Sequence, residues 1–281
     1  MRIVEKVAEL QRLADAERAA GRTLALVPTM GALHAAHLSL AREARKRADR
    51  VWVSIFVNPT QFDEPNDLAK YPRCLDADLA ACERAGVDAV FLPDAGEMYP
   101  TGSQTWVEVS EVAAPLCGRT RPGHFRGVTT IVAKLLLAAK PHVAVFGEKD
   151  YQQLLAIEAM VAAGVDRWPT LRIERHATVR DADGLAMSSR NAFLDAGQRE
   201  HALALSRALG EAVDAASPAA AESTMARVLA EHDVVVEYAA VRDATSLGPI
   251  DTFARPARAL IAARVDAVRL IDNAALGTRR G

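Results

Sequence analysis

The sequence contains few cysteines, few aromatic residues and no long apolar run. Its cysteines, Cys74, Cys82 and Cys117, are odd in number and form no CxxC pair. The sequence therefore predicts neither a disulfide framework nor a zinc site. The longest apolar stretches, such as IVAKLLLAA, fall far short of the roughly 20 residues that a membrane-spanning helix needs, so we expect no membrane partner.

An excess of positive charge is also missing, because 34 lysine and arginine residues are balanced by 36 aspartate and glutamate residues. A nucleic-acid-binding protein usually collects basic residues on one face, and we therefore expect no nucleic-acid partner. Residues 1–21 alternate charged and apolar side chains at helical spacing, without the apolar core of a signal peptide. We expect a helix there and a cytoplasmic protein.

What the sequence does contain, up to about residue 176, is an alternation of apolar runs with stretches of helical period. This pattern predicts a Rossmann-like α/β fold, with a parallel sheet and crossover helices. Ligands of such sheets bind beyond the carboxyl ends of the strands, here in the loops after Thr29, Val57 and Phe146. The strands are predicted at 23–29, 50–58, 89–93 and 143–149, and the helices at 37–49, 75–86, 128–139 and 151–164.

The pattern changes after His176, where a turn-rich connector precedes two helical stretches and two alternating, strand-like stretches. This order predicts a smaller C-terminal α+β domain with an antiparallel sheet. We place the first domain at 1–178 and the second at 179–281. Within the second domain the helices are predicted at 195–216 and about 221–231, and the strand-like stretches at 234–243 and 259–273.

The first cluster of candidate functional residues is VPTMGALHAAHLSL, at the end of a predicted strand. Gly31 permits a tight turn, and His34 and His37 are spaced to share one face at the start of a helix. A helix N-terminus exposes unpaired N–H groups and a partial positive charge, so two imidazoles there suit a phosphate. A structural histidine pair and a metal-binding pair are the alternatives.

The second cluster is GEKDYQQL, again between a predicted strand and a predicted helix. Lys149 places a flexible positive charge where it can reach a phosphate. Asp150 is equally suited to capping the helix. Gln153 is placed to hydrogen-bond a substrate hydroxyl or carboxylate, although a glutamine on a helix surface is often only solvated.

The third cluster is MSSRN, which follows an Asp-Gly turn in the connector. The hydroxyls of Ser188 and Ser189 and the guanidinium of Arg190 can donate to several phosphate oxygens. The same residues are also typical of a helix cap.

Together the three clusters resemble the HxGH and KMSKS elements of the nucleotidyltransferase superfamily. The segments PTMGALH, FVNPTQF, YPR, EMYP, RPGHFRGV, FGEKDYQQL and DGLAMSSRN, between residues 28 and 191, are similar to the pantothenate synthetase (pantoate–β-alanine ligase) family. One position departs from HxGH, because Ala36 replaces the glycine. If that position needs a positive φ, alanine costs about 1–2 kcal/mol; if it is helical, only the approach of ATP suffers.

The resemblance implies an ATP-dependent ligase that condenses pantoate with β-alanine through a pantoyl adenylate and releases AMP and pyrophosphate. It also implies Mg²⁺, a homodimer and a second domain that closes over ATP. His34, His37, Lys149 and Arg190 would be catalytic, with His37 as proton donor.

By the same resemblance, ATP would be lined by Met30, Gly31, Ala32, Leu33, His34, Ala35, Ala36, His37, Gly147, Glu148, Lys149, Asp150, Val179, Met187, Ser188, Ser189 and Arg190. Pantoate would be bound by Asn58, Gln61, Arg121, His124 and Gln153, and β-alanine by Gln61. No dedicated carboxylate cage for the magnesium ion is visible, so ATP phosphates and water would hold it.

Two other functions compete with the ligase. A nucleotidyltransferase would join AMP to a phosphorylated partner, such as nicotinate mononucleotide, and stop there. A nucleotide-binding module without catalysis is favoured only by Ala36, and the presence of Lys149, Arg190 and both histidines argues against it. A tRNA synthetase is disfavoured, because the short C-terminal region leaves little room for an anticodon-binding module.

Overall fold

The computed structural model describes residues 1–164 and 167–277, which form two compact units. The last four residues of the predicted second domain lie outside this description. The binding roles predicted for the two domains, and closure over ATP, stay predictions. The first unit comprises 1–113, 121–148 and 153–177, and the second comprises 114–120, 149–152 and the chain from residue 178 onward.

The first unit is built on a six-stranded parallel sheet with the order β1-β4-β3-β2-β5-β6. The predicted parallel sheet with crossover helices is therefore confirmed. The strands are β1 (Arg2–Val4), β2 (Leu24–Thr29), β3 (Arg50–Ile55), β4 (Ala89–Phe91), β5 (Val143–Gly147) and β6 (Arg172–His176).

The two edge strands were not predicted from the sequence. The helix expected within residues 1–21 is present at Val7–Ala19, but it does not begin at residue 1, because β1 pairs with β4 ahead of it. With three residues, β1 is too short to show a periodicity. Strand β6 reads RIERH and has β5 as its neighbour in the sheet. Its charged side chains hide it, because it lacks the apolar run of a fully buried strand.

Ten α-helices are assigned within the described residues, and none of these helices is long and apolar enough to cross a membrane. Most residues of helix α7 are buried, whereas Arg126 and Leu137 are exposed. The helices are α1 (Val7–Ala19), α2 (Ala35–Arg47), α3 (Pro65–Lys70), α4 (Leu75–Arg84), α5 (Ala95–Met98), α6 (Cys117–Thr120), α7 (His124–Ala139), α8 (Tyr151–Ala163), α9 (Ala196–Ala212) and α10 (Pro218–Ala230).

Apolar side chains cover both faces of the six-stranded sheet. Along β3, Trp52 belongs to one core cluster, while Val51 and Val53 belong to another. This alternation follows the two-residue period of a strand. Burial on both faces is typical of a parallel sheet, and it leaves the carboxyl edge of the strands as the place where polar loops collect.

The second unit contains an antiparallel sheet of order β7-β8-β9, and α9 and α10 share a core with it. The predicted antiparallel sheet is confirmed, but the single stretch 259–273 is two strands joined by a tight turn at Asp266, where φ is +48°. The strands are β7 (Val235–Asp243), β8 (Ala257–Val265) and β9 (Val268–Leu276).

Candidate active site

The carboxyl ends of β2, β3 and β5 lie side by side at one edge of the sheet, because these parallel strands are neighbours. The chain runs from β2 to β3 in one direction along the sheet, whereas β5 lies on the opposite side of β2. Such a reversal of strand order opens a crevice in which α/β proteins bind ligands. Two of the predicted clusters, VPTMGALHAAHLSL and GEKDYQQL, follow the strands that border this crevice, β2 and β5.

The turn between β2 and α2 requires a glycine at position 31. Gly31 has φ +81°, and a Cβ there would lie 3.0 Å from Oδ2 of Asp78 and 3.1 Å from Cγ2 of Ile55. Its neighbour Ala32 also adopts a left-handed conformation, with φ +49°. Non-glycine residues rarely adopt it, so the surrounding structure must hold this turn in place.

Asp78, on α4, holds this turn. Its Oδ2 accepts a hydrogen bond from the Ala32 N–H at 2.9 Å, and its Oδ1 accepts one from the Leu33 N–H at 2.7 Å. The side chain is buried, and two backbone donors compensate the carboxylate for lost water. Asp78 was not predicted as a site residue; its only sequence signal is an acid on the inward face of a helix.

His34 and His37 come together at the start of α2, as their spacing predicted. His34 is the N-cap residue, and the two ring centroids are 4.0 Å apart. The His34 N–H donates to Nδ1 of His37 at 3.3 Å. Because Nδ1 accepts, the neutral ring of His37 carries its proton on Nε2. Within the described residues, no group of three or more histidine, cysteine or acidic side chains could hold a metal ion.

Ala36 lies in the first turn of α2, and it is not among the described residues with positive φ. The first alternative, in which alanine at the family's glycine position strains the backbone, therefore does not apply. Only the second possibility stays open, in which the methyl group affects the approach of ATP.

Asn58 follows β3 and organises a 3-10 turn at Pro59–Gln61. Its NH₂ donates to Oε1 of Gln61 at 3.0 Å and to the Gly127 carbonyl at 3.2 Å. Its Oδ1 accepts from the hydroxyls of Tyr99 at 2.8 Å and Thr60 at 3.0 Å. These four bonds use the whole hydrogen-bonding capacity of the amide. Asn58 therefore orients Gln61, and the NH₂ of Gln61 becomes the donor available to a ligand.

Arg121 and His124 hold the backbone of the same turn. His124 Nδ1 donates to the Gln61 carbonyl at 2.8 Å, and Arg121 Nη2 donates to it at 3.3 Å. Arg121 Nε also donates to Asp63 at 2.8 Å. Burial would raise the pKa of Asp63, but the hydrogen bond and charge of Arg121 outweigh it and hold that pKa below its usual value. The ion pair therefore persists at neutral pH and is lost only as pH falls through the lowered pKa.

Gly127, in α7, allows this helix to touch the turn at Pro59–Gln61. A Cβ on Gly127 would lie 2.3 Å from the Thr60 carbonyl oxygen and 2.8 Å from the Gln61 nitrogen. Both contacted atoms are backbone atoms, so a different side-chain rotamer cannot relieve the overlap. This close approach explains the second glycine in RPGHFRGV, which we did not predict as a site residue.

In the second unit, Lys149 follows β5 in a 3-10 turn. Its Nζ lies 3.7 Å from Oδ1 of Asp150, and its carbonyl accepts a hydrogen bond from Nδ2 of Asn273 at 2.9 Å. The Lys149 side chain is only 19% exposed. Its backbone is thus held by a residue from β9, far along the sequence.

The connector forms a narrow hairpin in the second unit. The Met187 N–H donates to the Val179 carbonyl at 3.0 Å, so two predicted ATP-binding residues lie opposite each other. The hairpin turns at Gly184, where φ is +96°. Directly after it, Oγ of Ser188 accepts from the Arg190 N–H at 3.2 Å and caps a 3-10 turn. The alternative of capping chemistry in MSSRN therefore applies to Ser188.

The predicted residues thus divide between the two units. Their binding and catalytic roles stay predictions. The first unit holds Met30, Gly31, Ala32, Leu33, His34, Ala35, Ala36, His37, Asn58, Gln61, Arg121, His124, Gly147, Glu148 and Gln153, and the second holds Lys149, Asp150, Val179, Met187, Ser188, Ser189 and Arg190.

Comparison with known proteins agrees with these features. A family model described as pantoate-beta-alanine ligase matches residues 2–275. A pantothenate synthetase from Geobacter sulfurreducens is 48% identical, with 99% of each chain covered. The crystal structure of pantothenate synthetase from Thermus thermophilus has a TM-score of 0.91 at 41% identity and covers 98% of this chain and 99% of its own.

A second solved structure, the pantoate-beta-alanine ligase from Francisella tularensis, is complexed with beta-gamma ATP and beta-alanine. Its TM-score is 0.81 at 32% identity, with 99% of this chain and 98% of that chain covered. The match spans both units and every predicted cluster, so the chain belongs to the pantoate-beta-alanine ligase family.

Proposed function

We propose that this protein condenses pantoate with β-alanine at the expense of ATP, through a pantoyl adenylate. Besides family membership, the observation that carries this proposal is the His34–His37 pair, held at the N-terminus of α2 on the carboxyl edge of the sheet. A helix N-terminus with two imidazoles is suited to phosphates.

The chemistry needs two steps, because a carboxylate is a poor electrophile toward an amine. In the first step a pantoate carboxylate oxygen bonds to the α-phosphorus of ATP, the bond to the bridging oxygen breaks, and pyrophosphate leaves. In the second step the amine of β-alanine bonds to the acyl carbon, AMP leaves, and the nitrogen loses a proton. The first step brings two anions together, so fixed cations contribute most to its rate.

Lys149 and Arg190 are the side chains that we assign to the phosphates. A unit charge about 4 Å from another contributes on the order of 4 kcal/mol at an effective dielectric near 20, whereas a helix terminus contributes roughly 0.3–1 kcal/mol. His37 would donate the proton on its Nε2 to the phosphate oxygens as charge develops on them. The segments around Gly31 and Gly147 would line the nucleotide with their backbones.

Gln61 and Gln153 are the side chains that we assign to pantoate, with Gln61 also close to β-alanine. The side-chain NH₂ of Gln61 suits a carboxylate or hydroxyl oxygen, because the side-chain oxygen Oε1 already accepts a hydrogen bond from Asn58. Arg121 and His124 donate hydrogen bonds to the backbone carbonyl of Gln61. We infer that they support substrate binding by fixing the turn that carries Gln61.

Mg²⁺ would accompany ATP and neutralise charge on the departing pyrophosphate. The described part of the chain offers no cluster of three or more metal-ligating side chains, so this proposal assigns the coordination mainly to phosphate oxygens and water.

We further propose a homodimer and a cytoplasmic location. The dimer rests on the family resemblance, and light scattering of the purified protein tests it. Free thiols at Cys74, Cys82 and Cys117 are in keeping with a reducing compartment.

The decisive experiment is a coupled assay for AMP in which pantoate, β-alanine and ATP are omitted in turn. We expect AMP formation to require all three substrates, and pyrophosphate release to require ATP and pantoate. Formation of a dinucleotide from ATP and nicotinate mononucleotide would instead support the nucleotidyltransferase. ATP binding without any turnover would support the non-catalytic module.

The substitution Ala36→Gly tests the methyl group at the family's glycine position. If this methyl group obstructs ATP, its removal lowers KM for ATP, although glycine in a helix costs up to about 1 kcal/mol. Steady-state kinetics at varied ATP measures the effect. Ala226→Gly, at an exposed position of α10, controls for the helical cost. An unchanged KM and kcat would contradict the prediction.

The substitution Gly127→Ala tests the contact between α7 and the turn at Pro59–Gln61. The new methyl group must push the turn away, and overpacking of this kind costs about 1–3 kcal/mol. We expect a lower melting temperature and KM values for pantoate and β-alanine raised about tenfold or more, since Gln61 moves with the turn.

Gly210→Ala is the matched control for this variant. Gly210 is also a helical glycine, but its Cβ would meet nothing within 4 Å, so we expect unchanged kinetics and equal or higher stability. Wild-type KM values in Gly127→Ala would contradict the assigned role of the turn.

A further inference from the structure

Two consecutive polar residues in β9, Asp272 and Asn273, are almost completely buried, with exposures of 3% and 4%. None of the steps above uses them. A buried polar group costs free energy unless it is hydrogen-bonded, so the partners of these side chains indicate what holds them in the core. Each of the two side chains is hydrogen-bonded to a segment that we assign to ATP.

Asp272 binds the hairpin through Arg180. Nη1 of Arg180 lies 2.7 Å from Oδ2 of Asp272, and Nη2 lies 2.9 Å from Oδ1. Nη1 also donates to the Gly184 carbonyl at 3.1 Å. A bidentate ion pair of this kind fixes the orientation of the two side chains as well as their distance. The hairpin that carries Val179 and Met187 is thereby attached to β9.

Asn273 binds the backbone of Lys149. Its Nδ2 donates to the Lys149 carbonyl at 2.9 Å, while its Oδ1 accepts from Nε of Arg258 at 2.7 Å. Because Arg258 takes the oxygen, the amide can only present its NH₂ to Lys149. The guanidinium of Arg258 is itself stacked 4.1 Å above the ring of Tyr151, two residues beyond Lys149.

The backbone of Asn273 links the two sets of contacts, since its N–H donates to Oδ1 of Asp272 at 2.7 Å. One chain of hydrogen bonds therefore runs from Arg180 through Asp272 and Asn273 to Lys149. Displacing a reacting group by about 1 Å can slow a reaction about a hundredfold, so a fixed link between two segments that we assign to ATP has a kinetic consequence.

We propose that Asp272 and Asn273 are positioning residues for adenylate formation, which hold Lys149 and the hairpin of residues 179–187 at a fixed spacing. This inference rests on the proposed function, and it assigns a part in that function to two residues of the C-terminal sheet. The pair acts through Lys149 and Arg180 and does not contact the substrates. Its effect should therefore be confined to the step in which ATP phosphates must be placed.

The test uses Asn273→Asp and Asn273→Ala in the full-length protein. Asn273→Asp keeps an oxygen for Arg258 and removes the donor to Lys149, but it adds a negative charge. Asn273→Ala removes both the donor to Lys149 and the acceptor for Arg258 without adding charge. We expect kcat/KM for ATP in pantoate-dependent pyrophosphate–ATP exchange to fall about tenfold in both, the equivalent of one hydrogen bond. Formation of pantothenate from supplied pantoyl adenylate and β-alanine should keep its wild-type rate.

Glu237→Gln is the matched control in the same sheet. Glu237 pairs with Arg264 and Arg269, and its loss should leave both half-reactions unchanged. Wild-type exchange in both Asn273 variants would overturn the inference. So would a defect in Asn273→Asp alone, which would come from added charge, or an equal loss in both half-reactions, which would indicate a general loss of structure. Absence of pantoate-dependent exchange in the wild type would instead contradict the proposed function, and the inference with it.

Discussion

Replacing Lys149 with alanine is expected to slow adenylate formation about a thousandfold while the protein stays folded. The interaction of the ammonium with a developing anion contributes about 4 kcal/mol, and its loss corresponds to a rate decrease of this size. The Lys149 side chain is mostly buried, and the backbone of this residue is bound independently by Asn273. Loss of the ammonium should therefore leave the surrounding turn intact.

Pantoate-dependent pyrophosphate release measures this effect, with the melting temperature as a check of folding. Lys46→Ala, which removes an exposed lysine paired with Glu43, controls for loss of a positive charge elsewhere and should keep full activity. Lys149→Arg should recover part of the rate, because it restores the charge without the geometry of the ammonium. A fully active, folded Lys149→Ala variant would contradict the assignment of this residue to the phosphates.

Replacing His37 with alanine is expected to lower the rate of adenylate formation about a hundredfold to ten-thousandfold, the usual contribution of a positioned proton donor. His37 also accepts a hydrogen bond from the His34 N–H, so alanine removes an N-terminal contact of α2 as well. Single-turnover measurement of pyrophosphate release separates this step from amide formation.

His37→Asn distinguishes the two roles, because an asparagine oxygen can accept from the His34 N–H but has no imidazole proton to donate. If proton donation matters, His37→Asn is as slow as His37→Ala although its melting temperature is restored. A wild-type rate in His37→Asn would assign the histidine to helix capping alone.

The sequence was sufficient to predict the central part of the fold, because β2, β3 and β5 are apolar runs followed by helices of clear period. It was not sufficient for β1, which is too short for a pattern, or for β6, whose charged residues belong to an exposed edge. The two strands of the β8–β9 hairpin were predicted as one stretch, because both alternate apolar and polar residues and the turn at Asp266 lacks glycine.

The candidate site divides in the same way. The segments around His34 and Lys149 were recognisable because they follow apolar strands, and the segment around Arg190 because it follows an Asp-Gly turn. The residues that hold these segments were not recognisable, because their contacts join distant parts of the chain. Asp78 bonds to amides some 45 positions earlier, and Asn273 bonds to a carbonyl 124 positions earlier. No local pattern encodes such a bond.

The contact of Gly127 with the backbone of Thr60 has a consequence for genetic suppression. A larger residue at 127 collides with main-chain atoms, which every amino acid at position 60 would present alike. Second-site mutations at Thr60 should therefore fail to rescue Gly127→Ala in a selection for pantothenate-independent growth. Revertants should instead restore glycine itself or change the path of the chain around Pro59–Gln61. Evolutionary change at position 127 therefore requires a change in the backbone of that turn.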